Sequence, residues 1–361
     1  MKQRGDPPSR GAASASHQSA SHRDVPRLPH RLAWALMATV FPLIWMGGLV
    51  TTYNAGMAVP DWPSTYGYLF MYPLESWLKT WDVFLEHGHR LIGMTAGFLT
   101  IALLWSLWVH DRRPWMRKLG IAALLGVSLQ GTLGGLRVVG REILLANVHG
   151  CVAPLFFAFT VSLTVLTSPR WRREEKSRES EPNAGENARP ARRTFHPTFI
   201  LSLPILVYIQ IVLGAQLRHL PSELPPGWSF LWTILHLTVA ALLPIVWGAC
   251  SWYAAGLPSP FAQRRWLQAF GWLLVLQITL GLGTWVVNYN FPQWFQDWVV
   301  VIPYTVIDGG WLQALVTTAH TATGSLLLAV ATAYAHWALA GAKAAARDHR
   351  FITHIRAAGS R

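Results

Sequence analysis

Glu86-His87-Gly88-His89-Arg90 sets a carboxylate, two imidazoles and a guanidinium directly before a long apolar run, Leu91 to Val109. Ionisable groups at the mouth of a membrane helix are costly to keep there and demand a reason. As the first turn of a helix, Glu86, His89 and Arg90 stand at i, i+3 and i+4 on one face, while His87 points away. A carboxylate beside an imidazole suits proton transfer or support of developing positive charge. The plainer uses of such a cluster are a cap, an interfacial anchor, a Glu86–Arg90 pair or orientation of His89.

Three more histidines share this setting. Gln277-Ile278-Thr279-Leu280-Gly281 echoes Gln130-Gly131-Thr132-Leu133-Gly134-Gly135 at an offset of 277 − 130 = 147, and His236 follows His89 at 236 − 89 = 147. His320 takes the place of His149 once the outer loop 289–311 is treated as an insertion. This reads as an internal repeat of four spans each, with an imidazole pair facing inward from the second and fourth helices of each half, roughly 0–13 Å below the outer surface. Zinc ordinarily takes four N, S or O ligands, and neither pair has an extra cysteine or carboxylate common to both halves. Haem takes two axial ligands on one line between apolar walls, so bis-histidine haem fits best.

The elements that must position these residues are membrane helices. The 361 residues are 52% hydrophobic and only 13% charged, with 20 Trp, which excludes an ordinary soluble domain. Uncharged runs of about 20 residues or more fall near 33–53, 91–109, 119–136, 144–167, 197–217, 230–253, 267–288 and 312–340. The fold expected is all-α and integral to the membrane: eight transmembrane helices as two tandem four-helix bundles related by a pseudo-twofold along the membrane normal. The segments are a disordered tail (1–31), an N-terminal bundle (32–168), a polar linker (169–195), a C-terminal bundle (196–340) and a tail (341–361).

The net charge of +13 does not indicate a nucleic-acid partner. Of the 30 Lys and Arg, 25 lie in the two tails and the loops 110–118, 168–195 and 254–266, leaving Lys79, Arg90, Arg137, Arg141 and Arg218 on the other side. By the positive-inside rule both tails are cytoplasmic. Cys151 and Cys250 fall in separate spans near opposite membrane faces and are expected to remain unpaired, buried small residues.

The two halves differ around the histidines. The offset of 147 turns Glu86, His89 and Arg90 into Thr233, His236 and Leu237, so the imidazole is duplicated and its charged neighbours are not. The outer segment Tyr53 to Leu85, with Pro60-Asp61-Trp62-Pro63 and the aromatics Tyr66, Tyr68, Phe70, Tyr72, Trp77 and Trp81, is too long for a mere connection. Either it folds over the bundle as a lid or its rings lie among lipid headgroups. The asymmetry puts chemistry near Glu86 in the first half and a resident haem in the second.

The chain resembles the haem A synthase family, also called haem O oxygenases. The resemblance is carried by Gly47-Gly48-Leu49-Val50, Gly56 to Pro63, Glu86-x-x-His89-Arg90, Gln130 to Gly135, His149, His236, Gln277 to Gly281 and His320. It implies conversion of haem O to haem A by oxidation of the C8 methyl to a formyl. His89 and His149 would hold the substrate haem O, Glu86 would be the catalytic carboxylate, and His236 and His320 would hold a haem b cofactor. The implied partners are the lipid bilayer, an electron donor, haem O synthase and terminal oxidase subunits, with a homo-oligomer left open. The implied location is the cell inner (plasma) membrane, with the mitochondrial inner membrane the less favoured alternative. Two departures stand out: the outer-loop cysteine pair of many bacterial members is missing, which excludes a thiol relay there, and Thr51 replaces the usual Arg after Gly-Gly-Leu-Val. The rival functions are a bis-histidine di-haem electron-transfer cytochrome and a haem transporter or assembly chaperone.

Overall fold

A computed structural model describes residues 27–69, 71–180, 197–220, 225–256, 261–297 and 306–358. Most of the expected N-terminal tail, Phe70 and linker residues 181–196 lie outside these. The helices are, in chain order, α1 (Arg27–Thr52), α2 (Leu74–Lys79), α3 (Trp81–His110), α4 (Pro114–Gly140), α5 (Ile143–Thr167), α6 (Pro169–Ser180), α7 (Pro197–Arg218), α8 (Pro226–Ala255), α9 (Phe261–Tyr289), α10 (Gln293–Gln296) and α11 (Trp311–Ala358). All but α2, α6 and α10 are long and apolar enough to cross a membrane, giving eight spans among the described residues. The same residues contain no sheet, only an isolated bridge between Thr65 and Tyr68.

Several local signals set these helices. Pro114 and Pro226 open α4 and α8 at positions where a missing N–H is harmless. Several hydroxyls inside the spans find acceptors on their own helix, as in Thr51 to the Gly47 carbonyl (3.0 Å), Thr100 to Ala96 (2.7 Å) and Thr238 to Ile234 (2.7 Å). In hydrocarbon no water would serve them, so the bond back to residue i−4 is the available partner.

Neighbour relations close into two groups of four. α1 packs on α3 and α5, with α4 touching α3 and α5; α7 packs on α8 and α11, with α9 touching α8 and α11. α3 therefore lies diagonally from α5, and α8 from α11. The groups meet along α1, α5, α7 and α11. Leu36, Leu103, Leu107 and Met116 are fully buried in one core, and Leu203, Phe270 and Tyr334 in the other. Outside, Trp34, Phe98, Trp105, Ile245 and Trp272 are exposed on spans whose solvent is lipid. Helix association in lipid rests on close fit and dispersion, since lipid tails are as apolar as the core.

The membrane face bearing residues 53–80 is the loop face, and the opposite one the basic face. On the basic face Asp111, with a side chain at 0% exposure, accepts from Arg113 (2.8 Å) and Arg172 (3.0 Å). Arg113 also pairs with Glu175 (2.7 Å) and donates to the Leu166 carbonyl (3.1 Å). Trp171 meets His336 and Trp337 edge-on, and the Arg170 guanidinium lies over the Trp337 ring. The first part of the segment expected as linker is thus a helix, α6, tied to the first group through buried Asp111 and to α11 through Trp171 and Arg170. Two other boundaries also differ from expectation: α1 already begins at Arg27, and α11 runs on to Ala358 beyond the expected end at 340.

Removing the centre of that network leaves two partly buried guanidiniums facing each other. Asp111→Ala is expected to cost about 2–3 kcal/mol, read as a lowered Tm in detergent, whereas Lys79→Ala, whose pair with Glu75 is 4.0 Å long and exposed, should leave Tm unchanged.

Candidate functional site

The four histidines reach the interior of the two groups near the loop face. His89 and His149 project from diagonal helices α3 and α5 with ring centroids 6.5 Å apart, and His236 and His320 from α8 and α11 at 6.4 Å. Two imidazoles bound at about 2 Å on opposite sides of one metal ion hold their ring centres roughly 6 Å apart. Both pairs match that span. Among the described residues no cluster of three or more His, Cys, Asp or Glu exists, so a metal held here has two protein ligands and needs its other donors from a macrocycle. The donor set fits haem.

Each ring lies against a glycine of the helix beside it. A Cβ at Gly47 would stand 3.0 Å from His89, at Gly134 3.2 Å from His149, at Gly214 3.1 Å from His236 and at Gly281 3.0 Å from His320. The glycines come from α1, α4, α7 and α9, so every helix of each group supplies either an imidazole or the bare backbone that admits one. Nδ1 of His320 lies 3.2 Å from the Gln277 carbonyl, an acceptor only, so Nδ1 carries the proton and Nε2 presents its lone pair. The backbones of Leu43, Gln130 and Gln210, each four residues before its glycine, face the other three rings, whose Nδ1 atoms are outside hydrogen-bond geometry. Gln210 and Gln277 place amide nitrogens 3.1 and 3.5 Å from Nε2 of His236 and His320. Gln130 instead donates to the His149 carbonyl at 3.3 Å.

Among the described residues, a roof lies over the first pair alone. Arg90 donates to the carbonyls of Asp61 (2.7 Å), Ser64 (2.6 Å) and Val59 (3.2 Å) and pairs with Glu86 at 2.7 Å. The other Glu86 oxygen accepts the Val59 N–H at 2.8 Å. On the far side of α3, buried His87 meets the Thr65 hydroxyl at 2.9 Å and the edges of Tyr72 and Trp77. Trp62 seats on Gly135, where any Cβ would overlap its ring, one residue past the glycine that admits His149. Of the two uses open to the outer segment, residues 58–66 take the lid and Leu69, Met71 and Leu74 point outward. The counterpart Thr233 is half-buried and returns its hydroxyl to the Ser229 carbonyl.

Glu86, His89 and Arg90 do share a face, but of the second turn. α3 starts at Trp81, whose ring stacks on Phe84, itself stacked on Trp77. Cys151 and Cys250 are free. Sequence reasoning missed Trp62, His87 and Arg137 as parts of the site; the Gly-Gly at 134–135 was the available signal for the first.

Asp61 holds the lid's own turn. Burial pushes its carboxyl up, but hydrogen bonds from the Ser64 hydroxyl and the Gly67 and Tyr66 N–H groups outweigh this and bring it down to about 2. A depressed carboxylate stabilises above its unfolded pKa, near 3.8, and that contribution fades as pH falls toward 2. Limited proteolysis within 53–80 should therefore stay slow at neutral pH and rise between about pH 4 and 2. Arg90→Met, which strips four hydrogen bonds from the roof, should raise cleavage at pH 7 by about tenfold or more.

A family model described as cytochrome oxidase assembly protein matches residues 30–226, from α1 to the first residue of α8, and so includes His89 and His149. The chain is similar to the haem A synthase of Geobacillus kaustophilus, 24% identical over 276 residues that cover 70% of this chain and 80% of the relative. It is 28% identical over 195 residues to that of Symbiobacterium thermophilum, covering 52% of this chain and 58% of the relative. With that of Hyphomonas neptunium it shares 32% identity over 148 residues, 38% of this chain and 40% of the relative. The chain thus spans less than two thirds of the length of two of these three relatives. With more than half of its residues inside the matching model, the chain belongs to the COX15-CtaA family of cytochrome oxidase assembly proteins.

Proposed function

We propose that this membrane protein oxidises the C8 methyl of haem O to the formyl of haem A, with haem O taken between His89 and His149 and a resident haem b between His236 and His320. One observation carries the reading: two imidazole pairs of equal span, 6.5 and 6.4 Å, of which, among the described residues, the first alone lies under a buried carboxylate and a lid. Relatives named haem A synthase support the reaction. When bound, the resident haem supplies one-electron transfer. The recurrence of the glycine–imidazole contact supports two tandem four-helix units, and the charge distribution supports cytoplasmic tails in a bacterial plasma membrane.

In this reading the chain's own residues divide the work. His89 and His149 fix the substrate by its iron, Trp62 and the Val59–Thr65 strand of loop exclude water, and Glu86 acts on the oxidised edge as the proton-handling group. Arg90 aims Glu86 and ties the lid to the same helix. A specific observation favours the rival electron-transfer cytochrome: both Glu86 oxygens already serve Arg90 and Val59, as a purely structural carboxylate would.

Pigment extraction after co-expression with a haem O source separates them. Glu86→Gln should keep haem bound while haem A falls by roughly 10²–10⁴-fold, and Thr233→Val should change little. Normal haem A from the Glu86→Gln protein would assign the carboxylate to structure. Ala at His236 or His320 should remove the resident low-spin haem and reduce yield, because a ligand that binds the folded state stabilises it; unchanged spectra in both variants would refute the ligation scheme.

A further inference from the structure

A cavity of about 160 Å³ opens on the loop face, where the two groups of helices meet, lined by Val50, Thr51, Asn54, Gly56, Met57, Arg137, Ala146 and His219. Its position follows from the helical register. Thr51 is 51 − 47 = 4 residues beyond the glycine that admits His89, and Arg137 is 137 − 134 = 3 beyond the glycine that admits His149. Ala146 precedes His149 by 3 residues on a helix running the other way. The walls thus lie one turn, about 5.4 Å, toward the loop face from the first imidazole pair.

The cavity carries an unanswered charge. Arg137 is half-buried and makes no hydrogen bond or ion pair among the described residues. Its guanidinium rests on Gly56, where a Cβ would overlap it, so the loop backbone is shaped to admit that group. Glu86 is the anion whose field reaches it, but that carboxylate is engaged by Arg90 and Val59. Among the described residues, nearby Arg218 bonds neutral acceptors: the Gly48 carbonyl (2.8 Å), Thr52 (2.6 Å) and Thr321 (2.9 Å). Burial and the charges of Arg218 and Arg137 push His219 down to about 4, so it adds a neutral hydrogen-bonding ring and reports the positive field. A half-buried cation of this kind is stabilised by a hydrogen-bonding anion.

We propose that this cavity is a carboxylate subsite in which Arg137, with Thr51, Asn54 and His219 around it, receives an acidic side chain of the tetrapyrrole held between His89 and His149. The inference rests on the haem reading above and adds an orientation. A porphyrin ligated through its iron is free to rotate about the axial line, and one charged contact at the seam fixes which edge faces Glu86.

The test uses full-length protein in detergent, titrated with haem b and with haem b dimethyl ester, followed by the Soret band. The haem retained by His236 and His320 serves as the internal folding reference. Wild type should prefer the free acid by about ten- to a hundredfold, the worth of one or two charge-assisted hydrogen bonds. Arg137→Gln should erase that preference, and Arg137→Lys should restore part of it. Equal binding of acid and ester by wild type, or a preference unchanged in Arg137→Gln, overturns the subsite and leaves the haem reading intact. Loss in Arg137→Gln of binding to inorganic phosphate or to vesicles of anionic phospholipid, with the ester preference unchanged, assigns Arg137 to a phosphate and likewise overturns it. Titration that does not depend on His89 and His149 overturns both.

Discussion

An imidazole cannot bring its Cε1 corner so close to a helix whose facing residue carries a side chain. That steric condition recurs at Gly47, Gly134, Gly214 and Gly281, and the site depends on it. Each glycine lets one ring approach the neighbouring backbone, where the carbonyl four residues earlier can take the Nδ1 proton, as Gln277 does for His320. Ring orientation, and with it the separation of 6.4–6.5 Å across each diagonal, is therefore set by helix packing. Helix position and ligand geometry become one constraint: anything that slides α1 past α3 or α9 past α11 moves a ligand atom.

The roof over the first pair is built on the same helix as its ligand. Arg90 follows His89 directly, and Glu86 precedes it by one turn, so the residues that grip Val59, Asp61 and Ser64 move with the imidazole. A lid held from the opposite wall would strain whenever the group breathes. The polar bonds of the lid come from α3 while Trp62 seats on Gly135 of α4, so the carboxylate stays in register with whatever His89 binds. Among the described residues the second group lacks this device, since α8 offers Thr233 and Leu237 at the same positions.

Much of this was legible in the sequence. The eight spans follow from hydropathy, and His89/His236 and Gln130/Gln277 share one spacing because each histidine stands 130 − 89 = 277 − 236 = 41 residues before its glutamine, across one short connection. The glycine contacts were harder to see: Gly214 − Gly47 is 167 where His236 − His89 is 147. The difference of 20 is the extra length of the first outer loop, and loops vary freely where helices cannot. Arg137 was counted only as a charge on the outer side, because nothing in a linear run of Leu136-Arg137-Val138 reveals a cavity formed with α1, the loop after it, α5 and His219. The second-turn placement of Glu86 escaped for a related reason: stacking of Trp77, Trp81 and Phe84 extends α3 beyond the polar cluster that looked like its beginning.

Burial along the spans explains how such a site can be both firm and open. The most hydrophobic windows of α5 and α11 are 61% and 56% buried, whereas those of α3 and α8 are 28% and 6% buried. Each imidazole pair therefore joins a central seam helix, which carries His149 or His320, to a peripheral helix facing lipid. The seam helices are locked by Arg218 reaching from α7 to α1 and α11, by Asn147 meeting Gln216 (2.9 Å), and by the Asp111 network at the other end. Peripheral α3 is further tied by its lid, while α8 is held mainly by packing on α7 and α9. A ligand spanning α8 and α11 thus adds a cross-tie where the protein has fewest of its own, which suits a group that stays. A ligand spanning α3 and α5 meets a helix already secured by Glu86 and Arg90, which suits one that must come and go.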